Sequence, residues 1–309
     1  MTSAVVFAYH DVGVKCLSVL LAHGVKVALV VTHEDNPAET IWFDSVAKIA
    51  AVHHVPTITP DDPNTPEVVE RIRALKPDFL FSFYYRNMLK PELLDLPRQG
   101  ALNMHGSLLP KYRGRVPVNW AVIRGETETG ATLHYMTVKP DAGEIVARHA
   151  VPILPDETAA EVMRKVAGAA AALLDKVLPS LIAGTAPRVP QDLAKGAYFG
   201  GRKPADGVID WRRTAREVHN LVRGVAPPYP GAFTTVGGKA LKILRTQPAA
   251  GESPGVRPAI WSDGANCMAV CADGTLLRIL AMEYDGRPCS AADFLAHFGA
   301  APIPLEAAQ

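Results

Sequence analysis

Short apolar runs recur along the first half of the chain, each closed by turn residues and followed by a stretch with helical spacing of apolar positions. Ala4–Ala8 ends in the tight turn Tyr9–Gly13 and an amphipathic segment reaching His23. Val25–Val31 is a second buried strand, closed by the polar run from Thr32 to Pro37. The spacing predicts a helix over Ser45–His53, a short strand at Pro56–Ile58, and a helix over Thr65–Leu75 with Thr65 as N-cap and Pro66 at its first position. Phe79–Phe83 is again a strand, followed by a short helix near Lys90–Asp95 and a strand at Leu102–His105. Val116–Arg124 reads as helix and Thr129–Val138 as strand. A turn at Pro140–Glu144 leads into the strand Ile145–Val151, and Thr158–Ile182 is a long alanine-rich helix.

Strand alternating with helix implies right-handed crossovers and a mainly parallel sheet covered on both faces, a Rossmann-like α/β domain. Beyond Gly184–Gly201, rich in Pro, Gly and polar residues, the pattern changes. One helix, Thr214–Val225, is followed by short strands at Ala232–Val236, Ala240–Leu244, Ala259–Trp261, Met268–Cys271 and Leu276–Met282, the signature of a small barrel. The expected division is residues 1–190 as a catalytic domain, 191–203 as a linker and 204–305 as an OB-like domain.

Composition narrows the functional classes. The 309 residues are 48% hydrophobic with a net charge of +1, so bulk electrostatics gives no reason to expect DNA or RNA. Cys16, Cys267, Cys271 and Cys289 form no CxxC pair, so no metal site is expected and reduced thiols are. The N-terminus lacks the pattern of a signal peptide, and no apolar run approaches the ~20 residues needed to span a bilayer. A cytoplasmic protein without a membrane partner is expected. The Tyr9–Gly13 turn lacks the GxGxxG spacing that brings a dinucleotide pyrophosphate onto a helix N-terminus, which argues against NAD or FAD.

The candidate chemistry lies in Gly100–Arg115, GALNMHGSLLPKYRGR. With a side-chain period of two, Asn103 and His105 share one face of a strand end. The amide can stabilise a developing oxyanion and the imidazole can move a proton near neutral pH, a pairing suited to acyl transfer. In open α/β sheets, sites form beyond the carboxyl ends of strands, where this pair stands. A polar strand end before a basic loop is the plainer alternative. Asp141 sits in a glycine-bearing turn, where carboxylates are common for turn chemistry alone; beside a buried histidine it would also orient the ring.

The longer string HGSLLPKYRG resembles the signature of the folate-dependent formyltransferases. The likeness extends to VVFAYHDVG, FSFYYRNML, TVKPDAGEIV and PPYPGAF, and so over nearly the whole chain. It implies a Rossmann-like domain followed by an OB-like one. It also implies transfer of a formyl group from 10-formyltetrahydrofolate to an amine, with His105 moving protons, Asn103 stabilising the oxyanion and Asp141 tuning His105. Folate contacts are implied from Asn87, Met88 and Leu89, from Arg115, and from the loop Thr137, Val138, Lys139, Pro140 and Asp141. Asn87 stands where relatives often have His, a change that a backbone contact survives. The implied acceptor is UDP-4-amino-4-deoxy-L-arabinose, formylated on the way to aminoarabinose-modified lipid A. Some family members carry a fused decarboxylase, and this chain is expected to lack that second activity. Members acting on methionyl-tRNA share both domains and the trio but need a basic insertion after the second strand. Here that segment is THEDNPAETIWF, acidic and without Lys or Arg, which argues against tRNA. Other nucleotide-linked amino sugars remain alternative acceptors. Lys111, Arg113 and Arg202 are candidates for the diphosphate, with a solvated basic face as the equal alternative.

Overall fold

The computed structural model describes residues 1–37, 39–255 and 257–305. They divide into two compact units: Met1–Pro117, Glu128–Pro152 and Met163–Gly200 make up the first, and the remaining segments the second. The elements up to Phe199 are β1 (Ser3–Ala8), α1 (His10–Ala22), β2 (Lys26–Val31), α2 (Val46–Val52), β3 (Thr57–Ile58), α3 (Pro66–Leu75), β4 (Phe79–Phe83), α4 (Pro91–Leu94), β5 (Gly100–His105), β6 (Arg113–Gly114), α5 (Pro117–Ile123), β7 (Glu128–Tyr135), β8 (Ile145–Pro152), α6 (Ala159–Ile182) and β9 (Tyr198–Phe199).

The sheet of the first unit runs β3-β2-β1-β4-β5-β7-β8. From β3 to β5 every pairing is parallel. β7 and β8 then join antiparallel, so the sheet is mainly parallel, as expected, and mixed at one edge. The β7–β8 pairing follows from chain length, because the turn between them is too short for the crossover that a parallel neighbour requires. β4 is buried throughout, as a strand covered on both faces must be. Phe79, Phe81 and Phe83 stack along one face of it at 5.5 Å spacings, while Leu80 joins Val5, Phe7, Leu29 and Ile72 on the other. β1 lies between β2 and β4, so strand order reverses beside it, and the crevice of such a sheet opens where β1, β4 and β5 end. In α3, Thr65 occupies the N-cap and Pro66 the first turn, but the Thr65 hydroxyl makes no capping bond among the described residues.

The second unit contains α7 (Ala215–Val225), β10 (Ala232–Val236), β11 (Lys239–Ala249), β12 (Ala259–Ser262), β13 (Cys267–Val270), β14 (Leu276–Tyr284), β15 (Arg287–Cys289), α8 (Ala291–Phe298) and β16 (Ile303–Pro304). Its antiparallel half-barrel runs β10-β11-β14-β13-β12-β16, with β15 added beside β14. Register shifts near Arg245 mark bulges, which bend long strands. Trp211, Val218, Val222, Ile243, Leu277 and Phe294 fill the core. The buried Trp211 indole donates to Thr234 Oγ1 at 3.1 Å. The four cysteines are free thiols. Among the described residues no helix is long and apolar enough to cross a membrane.

Phe81 is fully buried within the β4 ring stack. Phe81→Ala is expected to cost about 3–5 kcal/mol, the range for a large core ring left as a cavity. Urea unfolding measures it, and a loss below about 1 kcal/mol would show that the strand is not the packing centre of its unit.

Candidate active site

β5 brings the first two candidate side chains to the sheet edge. Its register against β7 sets Asn103 opposite His134 and His105 opposite Thr132. Directly opposed side chains on an antiparallel pair lie close enough to bond. Asn103 Nδ2 is 3.1 Å from His134 Nε2, and the other ring nitrogen of His134 lies 2.8 Å from the Tyr135 carbonyl. A carbonyl only accepts, so His134 Nδ1 carries a hydrogen, and Nε2 is left to accept from the Asn103 amide. His105 is fixed in the same way: Nε2 donates to the Tyr112 carbonyl at 2.8 Å, leaving Nδ1 facing the site.

The loop after β5 is built to hold that carbonyl in place. Thr132 Oγ1 donates to the Ser107 carbonyl at 2.6 Å and accepts from Leu109 N at 3.1 Å. Ser107 Oγ donates to the Lys111 carbonyl at 2.6 Å. A Cβ on Gly106 would lie 1.7 Å from the Tyr84 hydroxyl, so any other residue there would have to push that ring aside.

Asp141 enters from the β7–β8 turn in a left-handed conformation, φ +52°. Its Oδ2 accepts from Gly114 N at 2.8 Å. Oδ1 is 3.5 Å from His105 Nδ1, from His134 Nε2 and from Asn103 Nδ2. The carboxylate is about nine-tenths buried, with 11% of the side chain exposed. Burial alone would push its pKa up. The positive charge that His105 and His134 carry when protonated, together with the Gly114 N–H, overcomes that and holds the carboxyl well below the usual range. One carboxylate thus ties together an amide and two imidazoles.

The structure brings Asn103, His105 and Asp141 together, three residues spread over 39 positions of sequence, and adds His134 and the Gly114 N–H to them. His134 gives only a weak sequence signal, one histidine in an otherwise ordinary alternating strand. The remaining candidates make contacts of their own outside the cluster. The loop after β4 is stapled to the segment before α3 by two amides: Asn87 Nδ2 donates to the Asp61 carbonyl, and Asn64 Nδ2 to the Met88 carbonyl. Met88 is 59% exposed, whereas Leu89 lies in the core, so any ligand contact from Leu89 runs through its backbone. Thr137, Val138 and Lys139 are exposed, with Thr137 Oγ1 donating to the Lys139 carbonyl; Pro140 is half-buried. Arg115 is exposed and its N–H donates to the Phe199 carbonyl. Arg113 is not the surface cation expected of it. It is 7% exposed, and its guanidinium donates to the Leu193 and Gly196 carbonyls. Arg202 lies over the Trp120 ring.

A ring cluster missed in the sequence covers the carboxyl ends of β1, β2 and β4. His10 packs on Trp42 and Phe43, His33 stacks on Tyr85 at 4.1 Å, and Arg86 lies over Tyr9. Burial, only partly opposed by Asp11, pushes His10 down to about 4; burial and Arg86 do the same for His33. Both rings are therefore neutral near pH 7. Arg86 is itself held by Glu39 through two bonds of 2.8 and 2.9 Å.

Chemically, the cluster offers an amide hydrogen for a developing oxyanion and a histidine nitrogen for a proton, both beside a fixed negative charge. Comparison with known proteins agrees with an acyl-transfer enzyme. The formyl transferase family matches residues 15–178, just over half of the chain, and its C-terminal domain matches residues 202–299. The chain belongs to this family and is a formyltransferase. Among solved structures it is similar to an N-formyltransferase from Helicobacter canadensis in complex with folinic acid and dTDP-3-aminofucose. There the identity is 21%, coverage 90% of this chain and 99% of that one, and the TM-score 0.71. It is similar also to WlaRD, a sugar 3N-formyltransferase with dTDP and 5-N-formyl-THF, at 18% identity, 90% and 97% coverage and TM-score 0.70. A sugar N-formyltransferase from a Shewanella species matches at 19% identity, 79% and 96% coverage and TM-score 0.63.

The depressed Asp141 pKa has a stability consequence of definite sign. Its folded value lies below its unfolded one, so the ionised group stabilises the fold above the ordinary carboxylate range and that contribution is lost as pH falls below about 4. Asp141→Asn is expected to lose stability at pH 7 and to lose progressively less, relative to wild type, on acidification toward about pH 3. Denaturant unfolding across that range checks it, and a pH-independent difference would contradict the assigned electrostatics.

Proposed function

We propose that this formyltransferase moves the formyl group of 10-formyltetrahydrofolate onto the amine of a nucleotide-linked amino sugar. The observation behind the reading is the convergence of Asn103 and His105 on the buried carboxylate of Asp141 at the sheet edge. The sugar N-formyltransferases that the chain resembles over most of their length support the acceptor class. Formyl-folate suits the exposed apolar side chains among the implied contacts. Met88 and Val138, 59% and 71% exposed, lie on loops after β4 and β7 and offer apolar side chains for a flat pterin to cover. The particular acceptor, UDP-4-amino-4-deoxy-L-arabinose, rests on the likeness over nearly the whole chain, VVFAYHDVG, FSFYYRNML and PPYPGAF included, and would place the product in lipid A modification.

The residues divide the work as follows. When the neutral amine attacks the formyl carbon, negative charge grows on the formyl oxygen. Asn103 has two amide hydrogens; one is engaged by His134, and the other has only the long approach to Asp141, so it is the one an oxyanion captures. His105 takes a proton from the attacking nitrogen at Nδ1, because Nε2 is committed to the Tyr112 carbonyl, and returns it to the folate nitrogen as the oxyanion collapses and the bond between that nitrogen and the formyl carbon breaks. Asp141 opposes the charge that gathers on His105 as the proton arrives. The acidic segment after β2 supports a small acceptor over tRNA. Asp35 accepts from Tyr9 and Glu39 neutralises Arg86, so this segment presents carboxylates, which a phosphate chain would not favour.

Asn103→Ala is expected to slow transfer by about a hundredfold or more, the usual effect of losing one oxyanion donor. His105→Ala should cost about 10²–10⁴-fold. Circular dichroism should remain that of wild type in both, and near-normal turnover in either variant would remove that residue from the mechanism.

Val138→Asp is expected to raise KM for formyl-folate about tenfold, through loss of ~1.5 kcal/mol of apolar burial, with little change in kcat. An unchanged KM would move the folate elsewhere. Incubation with 10-formyltetrahydrofolate and a panel of UDP- and dTDP-linked amino sugars, plus methionyl-tRNA, tests the acceptor. N-formyl product is expected from the UDP-4-amino-4-deoxy-L-arabinose arm, and product from the tRNA arm alone would overturn the reading.

A further inference from the structure

The geometry points to Gln191 as a positioning residue for the reaction, acting through Asp141 from the segment that follows α6; this rests on the catalytic reading of Asp141 given above. The Gln191 amide donates twice, to the Asp141 carbonyl at 3.1 Å and to the Gly143 carbonyl at 2.7 Å. Those two carbonyls bracket the turn that carries the carboxylate. The turn needs such a clamp. Asp141 is left-handed at φ +52°, a conformation that costs a non-glycine residue energy. Gly143 is pressed so closely to the strand that a Cβ would lie 2.0 Å from the Tyr135 carbonyl.

Gln191 does not reach the turn alone. Val189 exchanges two backbone bonds with Ile145, at 2.8 and 2.9 Å, and so runs antiparallel beside the start of β8. The Arg188 guanidinium bonds Glu144 and lies 3.8 Å over the Tyr135 ring. Past Gln191 the chain crosses to the other side of Asp141. There the Leu193 and Gly196 carbonyls receive Arg113, and β9 pairs with β6 across Gly114 and Phe199. Gly114 is the residue whose N–H holds Asp141 Oδ2. One strap therefore grips both the hairpin that presents Asp141 and the strand that receives it. Among the described residues Gln191 Oε1 is buried without a hydrogen-bond partner. An acceptor left unmatched is a stability cost, tolerated where the two N–H donors are what the site needs. Arg188–Glu144 is partly exposed and contributes little, so the amide is the strap's main hold on the turn.

The test is a double-mutant cycle in single-turnover formyl transfer, with KM measured for both substrates. Gln191→Leu removes the donors and keeps the bulk. It is expected to lower kcat by about 10- to 100-fold, the scale of a displacement of order 1 Å at a reacting group, with both KM values within about twofold. In an Asp141→Asn background the same change should cost less than about twofold, because a residue acting through Asp141 has nothing left to position. Should the leucine variant not fold, Gln191→Glu, which keeps the shape but sets a carboxylate against two carbonyls, should show the same coupling. An unchanged kcat, a rise in KM at constant kcat, or full multiplication of the two penalties would overturn the role of Gln191. Wild-type turnover in Asp141→Asn alone would instead overturn the catalytic reading itself, and the role of Gln191 with it.

Discussion

A single buried carboxylate is the constraint on which the site depends. Asp141 meets a backbone N–H with one oxygen and faces an amide and two imidazoles with the other. An anion this deep is tolerable only with several partners, and each partner is in turn fixed by a second bond. His105 is tied to the Tyr112 carbonyl and His134 to the Tyr135 carbonyl, so neither ring can turn away. The result is a polar cluster with little freedom, which is what stabilisation of a short-lived charge requires.

The fold supplies that constraint by a change of strand direction. The parallel strands from β3 to β5 place the carboxyl ends of β1, β4 and β5 at one edge. A wholly parallel sheet would bring the next strand to the same edge by its own carboxyl end. Instead β7 runs backward, so its register lays His134 against Asn103, and the turn that follows folds Asp141 over the pair. The antiparallel edge is therefore part of the site's construction. The strap from Arg188 to Phe199 then joins the turn to Gly114 from outside.

Much of this was legible from residue order, and the remainder was not for identifiable reasons. Phe79–Phe83 and Val25–Val31 are apolar runs broken only by Ser82 and Lys26, and buried strands of a covered sheet need little else to be recognised. Asn103 and His105 declare a shared face through period two alone. Asp141 is 36 residues beyond His105, and no local pattern could place it there; the formyltransferase motifs supplied that expectation. His134 was hidden because one polar residue in an alternating strand does not announce its cross-strand neighbour. Arg113 looked like a surface cation in a basic loop, but its partners are backbone carbonyls about eighty residues away. Gln191 sits in a stretch whose Pro and Gly content suggests only a connection. Its bonds run from a side chain to carbonyls and leave no periodicity behind.

The most direct measurement of the central claim reads the two rings themselves. In ¹⁵N-labelled protein, NMR of the imidazole nitrogens reports which atom carries the hydrogen in the neutral ring. The account requires Nε2–H for His105 and Nδ1–H for His134, with the signals of both rings perturbed together by Asp141→Asn. Opposite tautomers, or a substitution felt by one ring alone, would contradict a site organised around one shared carboxylate.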